Sequence, residues 1–102
     1  MKSEHTIYMD YQKTMSQAEE LYQLAAKIKN IKNKDLAGVW SGVSAAWKGE
    51  NANKYLQKGK KVEKTILSTS SELERTASSL KTIAKRTYKA EMEALQLARS
   101  AN

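Results

Sequence analysis

The chain has 102 residues, of which 40% are hydrophobic and 28% charged, and it carries a formal net charge of +7. This length fits one domain, which we expect to span residues 1–102. The absence of cysteine excludes disulfides and thiolate metal sites, and the absence of proline leaves almost the whole chain free to form helix.

Apolar residues recur mostly every three or four positions from Ile7 to Val43. Because 3.6 residues make one helical turn, this spacing places them along one stripe of a helix. We predict a first helix from about residue 4 to about residue 46. Its predicted interface with the second helix and with a partner consists of Tyr11, Ala18, Leu21, Ala25, Ile28, Leu36, Val39, Trp40 and Val43.

The four glycines are the only strong helix breakers, and they lie between Gly38 and Gly59. Gly49 can adopt a positive φ at little cost, which suits the end of a helix, and the Asn51 side chain can cap the start of the next one. We therefore predict a tight turn over residues 47–51. Gly59 falls on the apolar stripe of the second helix, where we expect two backbones to approach closely.

A second apolar series runs from residue 52 to residue 97 with alternating steps of three and four, which is a heptad pattern. It predicts a second helix over about residues 52–98. A stretch rich in serine and threonine allows a linker, but the heptad continues through it, so weak packing at Thr69 and Thr76 is the preferred interpretation. The predicted interface residues here are Tyr55, Val62, Ile66, Leu73, Leu80 and Ile83.

A bend at Gly49 would fold these helices into an antiparallel two-helix hairpin, which places the chain in the all-α class. Each helix carries a wide apolar stripe, and two helices packed side by side cover only part of it, because no third element packs against them. The remaining apolar flank should bury against a second hairpin in a four-helix bundle. A homodimer and a heterodimer satisfy this requirement equally well.

Ten lysines and only three carboxylates lie between residues 27 and 64, so the middle of the chain is basic. The antiparallel register gathers both lysine groups in the half nearest the turn. The group is either a solvated polar face or a docking surface for an acidic partner, a secretion machine or nucleic acid. The predicted basic surface consists of Lys27, Lys29, Lys32, Lys34, Lys54, Lys58, Lys60, Lys61 and Lys64.

No catalytic, cofactor or metal motif is recognisable in the sequence. His5 is the only histidine, and neighbouring carboxylates such as Glu91 and Glu93 point apart on a helix. We therefore expect no enzymatic activity, no cofactor and no bound metal.

The tripeptide Trp47-Lys48-Gly49 stands at the middle of the chain, between the two helical patterns. In this motif, in length, and in the small Ala52 and aromatic Tyr55 that follow, the chain resembles the Trp-Xaa-Gly family of type VII secretion. The resemblance implies a helical hairpin that forms homodimers or heterodimers. In some members it implies binding to the helical N-terminal domain of a secreted toxin, as a targeting factor or chaperone.

The resemblance also implies synthesis in the bacterial cytoplasm, export by type VII secretion, and the secretion ATPase as a further partner. The N-terminal residues lack an apolar signal-peptide core, and no stretch approaches the roughly 20 apolar residues of a membrane span. Export in the family is associated with an aromatic residue followed four positions later by an acid. Tyr88 is followed at that position by Met92, which favours export together with a partner that supplies the signal.

A nucleic-acid or anionic-surface binder is the alternative function that the lysines allow. Only three of the 18 basic residues are arginines, and none lies among the clustered lysines. Specific base reading relies on arginine, and salt-dependent retention on DNA would distinguish this alternative from protein pairing.

Overall fold

The computed structural model describes residues 1–46 and 49–101, with the side chains of that range except those of residues 43–46 and 50–52. The described residues form three α-helices and one π-helical segment, and no β-strand occurs among them. The all-α class is therefore confirmed. The elements are α1 (Glu4–Asn30), the π-helical segment (Ile31–Leu36), α2 (Ala37–Ala46) and α3 (Glu50–Ser100).

The first predicted helix is interrupted by the π-helical segment, which the prediction did not include. The backbone N–H of Ala37 donates to the carbonyl of Lys32, five residues earlier, as in a π-turn. The apolar series takes a five-residue step from Ile31 to Leu36. An α-helix would rotate these two side chains well away from each other, whereas a wider turn accommodates the additional residue.

The two helix starts follow different capping chemistry. At α1, the Ser3 hydroxyl accepts the Thr6 backbone N–H at 3.2 Å, so Ser3 caps the helix. At α3, Gly49 has the predicted positive φ, at 102°, and its carbonyl accepts the Asn53 N–H at 3.2 Å. The helix therefore begins at Glu50, and the prediction that Asn51 caps it is wrong, since Asn51 lies in the first turn.

The chain divides into two compact units, and in each a stretch from the first half packs against a stretch of α3. Unit 1 comprises Met1–Tyr22 and Arg75–Asn102, and unit 2 comprises Gln23–Glu74. In unit 1 the ring centroids of Tyr11 and Tyr88 lie 5.0 Å apart. In unit 2 the Ser70 hydroxyl donates to the Ala25 carbonyl at 3.0 Å. Both pairs fit the antiparallel hairpin register predicted from a bend at Gly49.

Small residues make up most of the buried positions at the helix–helix interface within each unit. In unit 2 the buried positions are Ala25, Gly59 and Ser70. In unit 1 the buried positions are Ile7, Ala18, Ala77, Ala84 and Leu95. The glycine, the serine and the alanines let two backbones approach closely, and in unit 2 the larger side chains lie at the margins. Unit 1 differs in that it also buries the larger Ile7 and Leu95.

The position of the α3 interface corrects one prediction. Thr69 and Thr76 are exposed, and the buried residues are their neighbours Ser70 and Ala77. The serine- and threonine-rich stretch is continuous helix and not a linker. The reason is one of size, because a hydroxyl or a methyl group fits where the helices approach most closely.

Candidate partner-binding surface

An ion pair across the helix interface identifies one face of unit 2. Ala25 and Ser70 meet at that interface, and four residues after each come Lys29 and Glu74. The Lys29 ammonium lies 3.1 Å from the Glu74 carboxylate, so these two side chains lie on the same side of the interface. We call this side the ion-pair face of unit 2.

The opposite side of the interface carries large apolar side chains. Ile28 and Leu73 lie three residues after Ala25 and Ser70, and positions three and four along a helix flank opposite sides of the starting residue. Helical spacing from Ile28 and Leu73 extends this side in both directions. We call it the apolar face, and it consists of Leu24, Ile28, Ile31, Val62, Ile66, Thr69 and Leu73.

The apolar face is poorly covered within unit 2. Leu24 and Ile31 are each 45% exposed, and Val62 is 47% exposed. Single exposed apolar residues are ordinary on a protein surface, but a row of them on two adjacent helices marks an interaction surface. The apolar face is therefore the candidate partner-binding surface of unit 2.

Lysines border the apolar face on its outer edges. Lys27 lies three residues after Leu24 and four before Ile31, and Lys58 lies four residues before Val62, so each is next to the face on its own helix. Both lysines are exposed, and neither has a carboxylate within ion-pair distance in the described part of the chain.

The predicted basic surface is not one continuous face. Lys29 is paired with Glu74, Lys32 is half-buried, and Lys60 lies on the ion-pair face, four helical turns before Glu74. Lys54 also has an interaction partner. The exposed members are Lys27, Lys34, Lys58, Lys60, Lys61 and Lys64, together with Lys54.

Trp40 occupies the space that Gly59 leaves open on the ion-pair face. A Cβ atom at residue 59 would lie 2.6 Å from Cζ2 of the Trp40 ring, so the predicted close approach at Gly59 is confirmed. The indole Nε1 is buried and lacks a hydrogen-bond partner among the described residues. The ring borders a shallow pocket that is also lined by Asn53, Leu56, Gln57, Lys60 and Glu63.

Charged contacts tie the two helical stretches of unit 1 together. The Lys2 ammonium lies 2.9 Å from Asp10 and 3.2 Å from Glu91. Hydrogen bonds to Asp10 and then Glu91 hold the pKa of Lys2 above its ordinary value. Lys81 lies 3.4 Å from Glu19. Beside a groove in the same unit, Ile83 remains 55% exposed, so unit 1 also leaves apolar surface uncovered.

The predicted interface residues differ widely in exposure. Trp47 lies outside the described residues, and so does the side chain of Val43. Ser70, which the prediction missed, keeps a seven-residue spacing with Ala77 and Ala84, and that spacing was the signal available. Of the predicted set, Ala18 and Ala25 are buried; Tyr11, Leu21, Ile28, Leu36, Trp40, Ile66, Leu73 and Leu80 are half-buried; Val39, Tyr55, Val62 and Ile83 are exposed.

The described residues contain no cluster of three side chains that could hold a metal ion. None of the helices they form has a stretch both long and apolar enough to cross a membrane. Comparisons with protein-family models, with curated proteins and with solved structures found no match for the chain.

Proposed function

We propose that this protein is a non-enzymatic adaptor that pairs lengthwise with another helical protein through its uncovered apolar surface. The observation that carries the proposal is that small residues are buried and large apolar residues are exposed in unit 2, which is the reverse of an ordinary hydrophobic core. Among the described side chains of unit 2, only small residues are buried between the helices, while Leu24, Ile31 and Val62 stay about half exposed. Burying apolar surface contributes about 25 cal/mol per Å², so a row of such side chains supplies several kcal/mol to a complex.

A helical partner fits this surface better than a loop or a sheet edge. The exposed side chains follow helical spacing on two neighbouring helices, and the shallow valley between two helices accepts the ridge of a third. One partner hairpin would supply two further helices and complete a four-helix bundle. The Trp47-Lys48-Gly49 motif supports a role in type VII secretion, with the helical N-terminal domain of a secreted toxin as the partner.

Light scattering on the purified protein, alone and with the product of a neighbouring gene, tests the proposal. We expect self-association or poor folding of the chain alone, and a defined complex with a helical partner. The double substitution Val62→Gln and Leu73→Gln should weaken that complex. Leu67→Gln is the control, because Leu67 is exposed but lies seven residues before Glu74, on the ion-pair face.

A monomer that melts cooperatively at high temperature and binds no helical protein would overturn the pairing proposal. The secretion role has a separate test, which is export of the protein from cells that lack the neighbouring genes. We expect export to fail there, because the aromatic–acid signal is absent at Tyr88. Normal export would remove the targeting role and leave the pairing proposal intact.

A further inference from the structure

We infer that the segment docking on unit 2 is a helix whose apolar stripe is flanked by acidic side chains, and that it belongs to a different protein and not to a second copy of this chain. The inference, which rests on the proposed function, names the chemistry of the partner. It follows from the charges that border the apolar face and from the charge of each unit.

The position of the bordering lysines determines what they would meet. A helix lying in the valley of the apolar face points its apolar stripe inward, and its flanking positions come to lie beside the outer edges of the face. Lys27 is on one of these edges and Lys58 on the other. Acidic side chains at both flanks of the docked helix would pair with these lysines, whereas basic ones would be repelled.

A second copy of this chain would bring net positive charge to the apolar face. Residues 23–74, which form unit 2, contain ten lysines and five carboxylates, and residues 1–22 with 75–102 contain eight basic and six acidic side chains. Neither unit is therefore net acidic. In unit 1, Glu4, Glu19 and Glu91 are already paired with Arg99, Lys81 and Lys2. Self-pairing would place net positive surfaces against each other.

The charges along the α3 edge of the apolar face also determine how charge should be distributed along the docked helix. Glu72 lies fourteen residues after Lys58, about four turns or 21 Å further along the same outer line. The flank of the partner that faces α3 should therefore carry acids near Lys58 and neutral or basic residues near Glu72.

Two synthetic helical peptides test this inference without knowledge of the natural partner. Both are three heptads long with identical apolar stripes, one with glutamate and one with lysine at the flanking positions. We expect the full-length protein to bind the glutamate peptide about tenfold more tightly at low salt, with a smaller difference at high salt. The measurement is a binding titration at two salt concentrations.

Two double variants with the same change in charge provide the control. Lys27→Glu with Lys58→Glu should abolish or reverse the preference for the glutamate peptide. Lys60→Glu with Lys64→Glu should keep most of it, because Lys60 and Lys64 lie toward the ion-pair face. All four lysines are exposed, and circular dichroism should show unchanged helix content.

Each other outcome contradicts a specific claim. Equal binding of the two peptides, or equal effects of the two double variants, would overturn the acidic partner while leaving helical pairing in place. A salt-insensitive homodimer that excludes both peptides would show that a second copy is the occupant. No binding of either peptide by a monomeric protein would overturn both the inference and the proposed function.

Discussion

Gly59 sets the distance between two helical stretches in unit 2, because the Trp40 ring fills the space beside its backbone. Gly59→Ala would place a Cβ atom 2.6 Å from that ring and force it to move. Overpacking lowers the free energy of unfolding by about 1–3 kcal/mol. The higher helix propensity of alanine offsets up to about 1 kcal/mol of this loss. We expect a lower free energy of unfolding, measured by chemical denaturation.

Gly42→Ala is the matched control, because a Cβ atom at residue 42 would meet nothing within 4 Å. Here the gain in helix propensity acts alone, so we expect stabilisation by up to about 1 kcal/mol. If the two alanine variants shift stability in the same direction by the same amount, Trp40 does not pack on Gly59.

Ala25 is completely buried where its carbonyl accepts the Ser70 hydroxyl. Ala25→Leu should separate the helices and destabilise the protein by about 1–3 kcal/mol. Ala26→Leu, on the exposed neighbour, should stay within about 0.5 kcal/mol of the natural protein. Thermal unfolding of the two variants measures the difference, and equal melting temperatures would contradict the small-residue interface.

The sequence predicted which residues belong to the apolar stripe of α3 but not which edge of the stripe faces the other helix. Thr69 and Thr76 share a seven-residue spacing, and so do their neighbours Ser70 and Ala77. Periodicity therefore cannot choose between two lines that differ by about 100° around the helix. The choice depends on how closely the backbones approach, which is a property of the packed pair and not of one pattern.

At the level of elements, helix positions were predictable and the π-helical segment was not. The predicted boundaries agree with the start of α1, the end of α2 and both ends of α3 to within two residues, because apolar spacing sustained over such lengths is a strong signal. The five-residue step from Ile31 to Leu36 was visible in the sequence. A single irregular step equally suits a local break or a wider turn, and only the backbone hydrogen bonds decide.

Deleting Asn33 tests the reason for the π-helical segment. The deletion shortens the step from Ile31 to Leu36 to four residues, so a regular α-helix would keep both flanking stretches in phase. We expect circular dichroism to show unchanged helix content, with stability equal to or above that of the natural protein.

Deletion of the exposed Gln17 provides the comparison within a regular part of α1. It rotates the preceding residues by about 100°, and the buried Ile7 would leave its interface. We expect a loss of about 2–5 kcal/mol, as for the removal of a large core side chain. Similar losses for both deletions would show that the wider turn does not compensate for an additional residue.

For the whole molecule, the width of the two apolar stripes predicted that large apolar side chains would remain uncovered, but the sequence did not predict how the charges are distributed around them. The lysine-rich middle of the chain suggested one basic surface. Ion pairing of Lys29 and the placement of Lys60 divide that surface between opposite faces of unit 2. Such a division depends on the rotation of each helix about its axis, which small residues set, so it could not be derived from charge counts.

The two units should differ in local stability because they bury different side chains. Among the described residues, Ile7 and Leu95 are buried in unit 1, whereas the buried positions of unit 2 are Ala25, Gly59 and Ser70. Local opening is easier where less apolar surface is buried, so amides of unit 2 should exchange hydrogen faster than those of unit 1 in the protein alone.

Binding of the glutamate peptide should slow exchange selectively in unit 2, because the docked helix covers Leu24, Ile31 and Val62. Hydrogen exchange read by mass spectrometry resolves residues 23–46 and 49–74 from the remainder. Lys27→Glu with Lys58→Glu should remove this protection while leaving exchange in the peptide-free protein unchanged. Equal protection of both units in the free protein would show that the small-residue interface is sufficient to stabilise unit 2. Burial of the apolar face by a partner would then not be needed for the stability of this unit.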